Sequence, residues 1–560
     1  MKKLIKILSI IMVVLSSTLL YSCEDYLVKY PLDQPSDATF WSTESELQMA
    51  INSVYRSLYF TDRAATHIPF QFLFDFATDI SWDRNLSVWQ LLGQGQVTSV
   101  EPTLIFGAWS NAYVNIGSCN RLLANMDKAE EVTNAETFKN IEAEARFFRA
   151  YWYGWLINLY GDVPFTTDPL DVFDAQLPQT DKETIYQFIL EELEIVGEIL
   201  PVEYPSNDRG RITKGAAWGL KARMAAFHND WAVAASAAEK VMALGIYELH
   251  PNFEELFTYE GQNNSEELFT IQFSRANQLT HESPVHTRGR LTGGFATKIP
   301  TQALIDSYAC VDGLRIDKSP LYDPANPFQN RDPRLHATCV VPGSEFLGYQ
   351  FETHPDSLLV WDFNQNPPKR IDNQEVINPY ATFSGYQYRK YVAADEREFR
   401  RESELNIMLI RYAEILLIYA EAQIELGQVN NTVYESINAV RERAGIPGIE
   451  QGQTIDKLRE VVRQERKVEF AYEGLRFFDI RRWNIAEDVI SGPLYGRPLG
   501  IYKSQYVPEF NENGTPNYEA YAEELRMFDT RNYNPEKDKF LPIPQRELDI
   551  NSNLTQNPGY

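Results

Sequence analysis

Cysteine and histidine are scarce in this chain, four and seven among 560 residues. The cysteines, Cys23, Cys119, Cys310 and Cys339, form no CxxC pair and no Cys/His cluster, which excludes the common structural zinc sites. His281 and His286 sit close in a polar stretch with Arg288 and Arg290, but no ligand set completes a metal site there. Neither a metal nor a cofactor is expected. Positive charge is also in deficit. Lys and Arg number 52 against 78 Asp and Glu, a formal net charge of −26, so the chain repels a phosphate backbone and nucleic acid is excluded as a partner. After residue 22 no apolar run is long enough to span a bilayer as a helix. The GxSxG, P-loop and HExxH motifs are missing as well. Carboxylate pairs are so frequent in an acidic chain that none marks a glycoside hydrolase. A binding protein is expected, not an enzyme.

Aromatic residues, in contrast, reach 13%, and polar-tipped rings suit surfaces that hold other molecules. The amino terminus carries an export signal. Lys2, Lys3 and Lys6 precede the apolar run Ile7 to Leu20, so residues 1–22 read as a signal peptide. Leu20-Tyr21-Ser22-Cys23 is the pattern of a bacterial lipobox. Cys23 then becomes a lipidated amino terminus, and acyl chains there anchor a soluble domain without a transmembrane helix. Residues 23–40 read as the tether. Of the remaining thiols, Cys310 and Cys339 could pair in an oxidising compartment, or all three could stay free.

The most informative stretch runs from Glu142 to Phe165, EAEARFFRAYWYGWLINLYGDVPF. Phe148, Trp152, Trp155 and Leu159 fall on one helical face. Phe147, Tyr151 and Leu156 widen it until it nearly surrounds the helix, which predicts burial on several sides. Gly161 and Pro164 stop it. Further helices are expected from Ser42 or Thr43 onward, with Leu47, Ile51, Val54, Tyr55 and Leu58 on the apolar face, and over 104–127 and 184–200. Residues 212–245 and 405–445 each read as a helix–turn–helix with interleaved small and large residues, similar to a tetratricopeptide unit. The turns fall at His228-Asn229-Asp230 and Asn430-Asn431. Between these units, 246–404 is a loop-rich insert with a short strand at 268–273 and a short helix from Thr301 to Tyr308. Residues 455–483 alternate charge densely, through Glu465, Arg466, Glu469, Glu473, Arg476, Asp479, Arg481 and Arg482, and read as an ion-pair network at a helix end.

Four motifs resemble the SusD/RagB family. They are RFFRAYWYGWLINLYGDVPF, with Phe148 where leucine is commoner; Pro300-Thr301 with Leu304, Asp312-Gly313 and Arg331-Asp332-Pro333-Arg334-Leu335; the charged run from Glu465 to Trp483; and the tail from Leu541-Pro542-Ile543-Pro544 to Asn557-Pro558-Gly559-Tyr560. The resemblance implies a mostly α fold, a tetratricopeptide-like scaffold with a loop-rich binding lobe holding a few short strands. It implies an N-terminal region over 41–245, the insert 246–404 and a C-terminal region over 405–560. Arg331 and Arg334 flank a turn pinned by Pro333, and structural ion pairs are expected of them. The resemblance also implies a nutrient-binding lipoprotein on the outer membrane facing the exterior, with Glu24 and Asp25 as a surface-export signal. Its partner would be a SusC-like TonB-dependent transporter and its ligand an oligosaccharide, or a peptide as in the RagB branch. A surface hydrolase is the remaining alternative.

A sugar ring offers an apolar C–H face and a rim of hydroxyls, so its site needs an aromatic platform beside polar side chains. The irregular segment 61–103 holds Trp82 and Trp89 with Asp83, Arg84 and Asn85, and long irregular segments are often functional. His286, Arg288 and Phe295 of the insert are expected to complete the site, in the two regions from which glycan-binding family members draw ligand contacts.

Overall fold

The chain builds its scaffold from helices joined by short turns. In the computed structural model, residues 40–61, 67–171, 175–500 and 506–560 are described. The signal peptide, Cys23, the tether to residue 39, and residues 62–66 of the expected ligand segment lie outside the described residues.

Thr43 caps helix α1 (Glu44–Tyr55). Its hydroxyl accepts from the Glu46 amide at 3.2 Å while the Glu46 carboxylate accepts from the Ser42 amide at 2.8 Å, a reciprocal capping box. Leu47, Ile51, Val54 and Leu58 are buried, as their spacing predicts. Next come α2 (Gly107–Asn125), α3 (Ala135–Tyr160), α4 (Lys182–Ile199), α5 (Lys214–Phe227) and α6 (Trp231–Met242), and later α7 (Tyr412–Glu425), α8 (Asn431–Arg443) and α9 (Ile455–Glu469). Side chains of Asn134, Asp181, Thr213, Asp230, Asn430 and Thr454 cap α3, α4, α5, α6, α8 and α9, satisfying amides that a helix start leaves open.

Each helix from α2 to α8 packs on the next, and α9 packs on α7. Small residues set the spacing. Ala222, Ala226, Ala235 and Ala238 are buried between neighbours. At Gly197 a methyl group would sit 2.5 Å from the Trp218 ring, so α4 meets α5 more closely than any larger residue permits. The mostly α, tetratricopeptide-like scaffold expected from the sequence is the fold observed. Helix α3 is its centre: Phe147, Phe148, Tyr153, Leu156 and Tyr160 are buried, and Arg149 escapes the cost of burial by bonding Glu192 of α4 at 2.7 Å. Gly161, at φ +76°, ends the helix. The tail then closes that end, with the Leu541 amide on the Leu159 carbonyl at 2.7 Å and the Asn557 side chain on the Tyr160 carbonyl at 2.8 Å.

The strands are short: β1 (Ser81–Asp83), β2 (Glu267–Ile271), β3 (Lys298–Pro300), β4 (Ile407–Arg411), β5 (Gly492–Pro498) and β6 (Leu525–Arg531). They pair antiparallel as β1–β3, β2–β4 and β5–β6. Strand β4 corrects one expectation. Residues 405–411 read as the start of a helical unit, but every residue of β4 is buried, and a fully buried strand carries no period-two signal to separate it from a helix.

The charged run of 465–482 is an ion-pair network, except for Arg481, which forms no ion pair among the described residues and instead donates to the Phe477 carbonyl at 3.1 Å and lies over its ring. Glu469 receives Arg411 at 2.7 Å, Arg334 at 2.9 Å and also Arg443. Burial alone would raise the Glu469 carboxyl, but these three guanidinium groups hold it far below the usual range. Arg411 also bonds Glu266 and Glu473, at 2.7 and 2.8 Å. Arg334 is ion-paired with Asp332 at 2.7 Å. Arg331 is not: it donates to the carbonyls of Ile305, Tyr308 and Pro327, each at 2.7 Å, and so pins backbone. Cys119, Cys310 and Cys339 are free and buried.

Candidate functional site

The β1–β3 pair brings the two expected ligand regions together, with Trp82 opposite Ile299 and Asp83 opposite Lys298. The segment before β1 is tied down at several points. Asp75 accepts from the Gly474 amide at 3.1 Å. Asp79 is paired with Arg476 at 2.9 Å and Lys467 at 3.3 Å. Arg531 of β6 donates to the carbonyls of Phe76, Thr78 and Ser81.

Several expected contact residues are consumed by this architecture. Trp89 has no exposed surface and packs edge-on against Phe70 and Phe74 at 5.2 and 5.1 Å; it is a core residue, not a platform. Asp83 is fully buried, paired with Lys298 and accepting from the Ser87 hydroxyl at 2.6 Å. Arg288 is 1% exposed and bonds the carbonyls of Thr292 and Arg397. His286 is buried, with Nδ1 3.0 Å from the Thr297 hydroxyl; burial lowers its pKa, against a raising contact from Glu282. Trp82 is 4% exposed, donates Nε1 to Asp529 at 3.0 Å, and stacks under Phe383 with ring centres 5.9 Å apart. It supports the surface from below without offering a face of its own.

Arg84, Asn85 and Phe295 do reach the surface. The backbone delivers Phe295 through Gly293, at φ +76°, followed by a bond from the Phe295 amide to the Val285 carbonyl at 2.7 Å. Around these residues stands a ladder of rings and guanidinium groups. Arg526 lies over Phe383 at 5.0 Å, and Arg84 over Phe383 at 5.7 Å and over Tyr380 at 5.8 Å. Arg290 lies over Tyr380 at 5.7 Å and over Phe295 at 5.9 Å, and Arg401 over Phe295 at 5.1 Å. The Tyr380 carbonyl accepts from both Arg84 and Arg290. Its ring is 64% exposed, so the ladder presents an open aromatic face flanked by donors.

Sequence reasoning missed Tyr380, Phe383 and Arg526 and gave Arg290 no role. The only signal for Tyr380 was an aromatic within Asn378-Pro379-Tyr380, a turn-forming stretch of the insert. Nothing local ties Arg526 to the site, because β5–β6 pairing carries it there. A cleft of about 760 Å³ lies elsewhere, lined in part by Asp312, Arg315, Arg441, Glu460 and Phe510. Two of its charged residues are ion-paired: Arg315 bonds Asp317 at 2.9 Å and Arg441 bonds Glu465 at 2.5 Å.

Fold and surface together define a helical-repeat binding protein whose candidate site is assembled from loops far apart in sequence. The chain belongs to the SusD family: the model described as SusD family matches residues 262–560, and one described as starch-binding, associating with the outer membrane, matches residues 29–225. SusD-like protein P25 of Formosa agariphila is 26% identical over 577 aligned positions, covering 99% of this chain and 100% of that protein. A SusD-like carbohydrate-binding protein of Bacteroides fragilis superposes with a TM-score of 0.80 at 29% identity, over 92% of this chain and 100% of its own. Surface glycan-binding protein A of Bacteroides thetaiotaomicron, solved with laminarihexaose, shares the fold with a TM-score of 0.66 at 22% identity, over 92% of this chain and 99% of its own. Among the described residues no helix is long and apolar enough to cross a membrane.

Proposed function

We propose that this chain is a non-catalytic glycan-binding lipoprotein of the outer membrane surface, held by lipid at Cys23. It captures an oligosaccharide and passes it to a SusC-like TonB-dependent transporter. The observation that carries this reading is the exposed Tyr380 ring, flanked by Arg84 and Arg290 from two separate segments. The carbohydrate-binding relative from Bacteroides fragilis and the outer-membrane family description support it.

The C–H face of a pyranose stacks on Tyr380, and its hydroxyl rim accepts from the guanidinium groups and meets Asn85. The Tyr380 backbone is held by the two arginines through its carbonyl before any ligand arrives, which lowers the ordering cost at binding. The face is open, so the bound sugar stays partly in water and leaves readily. Reversible capture of this kind suits hand-over to a transporter.

Calorimetric titration of the soluble form beginning at Glu24, against a panel of oligosaccharides and peptides, tests the reading. Heat from oligosaccharides, with affinity weakened in Tyr380→Ala, is the expected result. Heat from peptides alone moves the function to peptide capture. Cleavage of an oligosaccharide during the titration makes the chain a hydrolase.

A further inference from the structure

The chain is acidic overall, yet its candidate site concentrates positive charge. Arg84, Arg290 and Arg526 stand within one ladder, and among the described residues none forms an ion pair. That contrasts with the network behind the site, where Arg411, Arg466, Arg476 and Arg482 are each matched to carboxylates. The nearby acids are already engaged. Asp83 is held by Lys298, and Glu282 by Arg401 at 3.4 Å. Asp529 accepts from Trp82 at 3.0 Å and from Gln94 at 2.7 Å. Glu375 is the partial exception: it is buried and accepts from the Leu291 amide at 3.0 Å, and its charge also acts on Arg290 without forming an ion pair among the described residues.

Partial burial of cations with too little counter-charge is unfavourable. Burial lowers the pKa of Arg84, with Arg290 adding to it against a raising contribution from Asp83; it lowers that of Arg290 against Glu375, and that of Arg526 with Arg497 adding to it. A ligand that brings negative charge relieves this cost. The arginines are also oriented: bonds from Arg84 and Arg290 to the Tyr380 carbonyl fix their planes, and Arg526 is fixed over Phe383. A guanidinium fork held in place matches a carboxylate or sulfate with two parallel hydrogen bonds.

Resting on the reading of this surface as a glycan site, we infer that it selects acidic oligosaccharides, sugars bearing carboxylate or sulfate groups, over neutral ones. The ring of Tyr380 takes the apolar face of a residue while Arg84 and Arg290, with Arg526 beyond Phe383, take the anionic substituents.

The test uses the soluble form beginning at Glu24. Probes are galacturonic acid oligomers, the same oligomers with their carboxyl groups reduced to alcohols, a sulfated oligosaccharide such as a chondroitin sulfate fragment, and neutral maltose- and laminarin-type oligomers. The expected result is binding of at least one anionic probe, weakened tenfold or more when salt rises from about 50 to about 500 mM. The same loss is expected in the Arg84→Gln/Arg290→Gln double variant at low salt, and it should be larger for the anionic probes than for the neutral ones. Carboxylate and sulfate arms identify which anion is read. Unfolding curves of the double variant, and a separate Arg526→Gln variant, distinguish lost recognition from lost fold. Neutral oligomers that bind as well as anionic ones, with no salt dependence, overturn the inference and leave glycan capture standing. Silence from every saccharide overturns both.

Discussion

Arg476 grips both carboxylate oxygens of Asp79, at 2.9 and 3.0 Å, across 397 residues of chain. Asp79 lies two residues before β1, so this bond joins the charged motif near the carboxyl terminus to the segment that carries Arg84. Burial would raise the Asp79 carboxyl, but Arg476 and Lys467 outweigh it and hold Asp79 at about 2. Arg476→Ala leaves a buried carboxylate short of its main partner and is expected to cost about 3–5 kcal/mol in denaturant unfolding. Because the folded carboxyl is more acidic than its ordinary 3.8, the stability this group supplies is present above pH 4 and is lost as pH falls toward 2. A variant as stable as the parent at pH 7 contradicts the assignment.

The two kinds of aromatic residue separate cleanly in mutation. Tyr380→Ala removes an exposed ring and is expected to weaken oligosaccharide binding about tenfold, roughly 1.4 kcal/mol, with stability unchanged within ~0.5 kcal/mol. Trp89→Ala empties a core position and is expected to cost about 3–5 kcal/mol of stability. The Trp89→Ala protein that remains folded should bind as the parent does. Titration and unfolding on both variants decide the matter; a selective loss of affinity in Trp89→Ala speaks against its core role.

Asp75 behaves opposite to Asp79. Burial, with Glu473 adding to it, pushes Asp75 up to about 7 despite the bond from the Gly474 amide. The native state therefore holds a proton that the unfolded chain releases near pH 4, and stability contributed by this group falls as pH rises from 4 to 7. Asp75→Asn should flatten the stability–pH curve by about 2–4 kcal/mol between pH 4 and pH 8 relative to the parent. Parallel curves for the two proteins sink the assignment.

Cys119, Cys310 and Cys339 are buried as thiols, and burial raises all three, Cys119 to about 12. The soluble form beginning at Glu24 is expected to show three reactive thiols after denaturation and almost none before it. Reductant should leave its melting temperature unchanged. One thiol instead of three means that a pair forms in the secreted protein.

What the sequence made legible divides by the range of the interaction that decides it. Helix positions, the cap at Thr43, the turn at Asn430-Asn431 and the stop at Gly161 follow from local rules, and they were readable. The ion-pair network was readable as a class because charge alternated along a helix. The identity of the exposed residues was not. Trp82 and Trp89 look alike in sequence, seven residues apart, and only tertiary packing sends one under Phe383 and the other between Phe70 and Phe74. Strand β4 was misread because complete burial erases periodicity. Arg526 could be found only through strand pairing between residues 27 to 39 positions apart.

The bond from Asn557 to Tyr160 also spans 397 residues. At about 5–20 residues per second on the ribosome, Asn557 follows Tyr160 by about 20–80 s. Throughout that interval the carbonyls of Leu159 and Tyr160 at the end of α3 lack their tail partners. Water must satisfy them in the newborn chain, and loss of the last few residues would leave the Tyr160 carbonyl without its Asn557 donor for good.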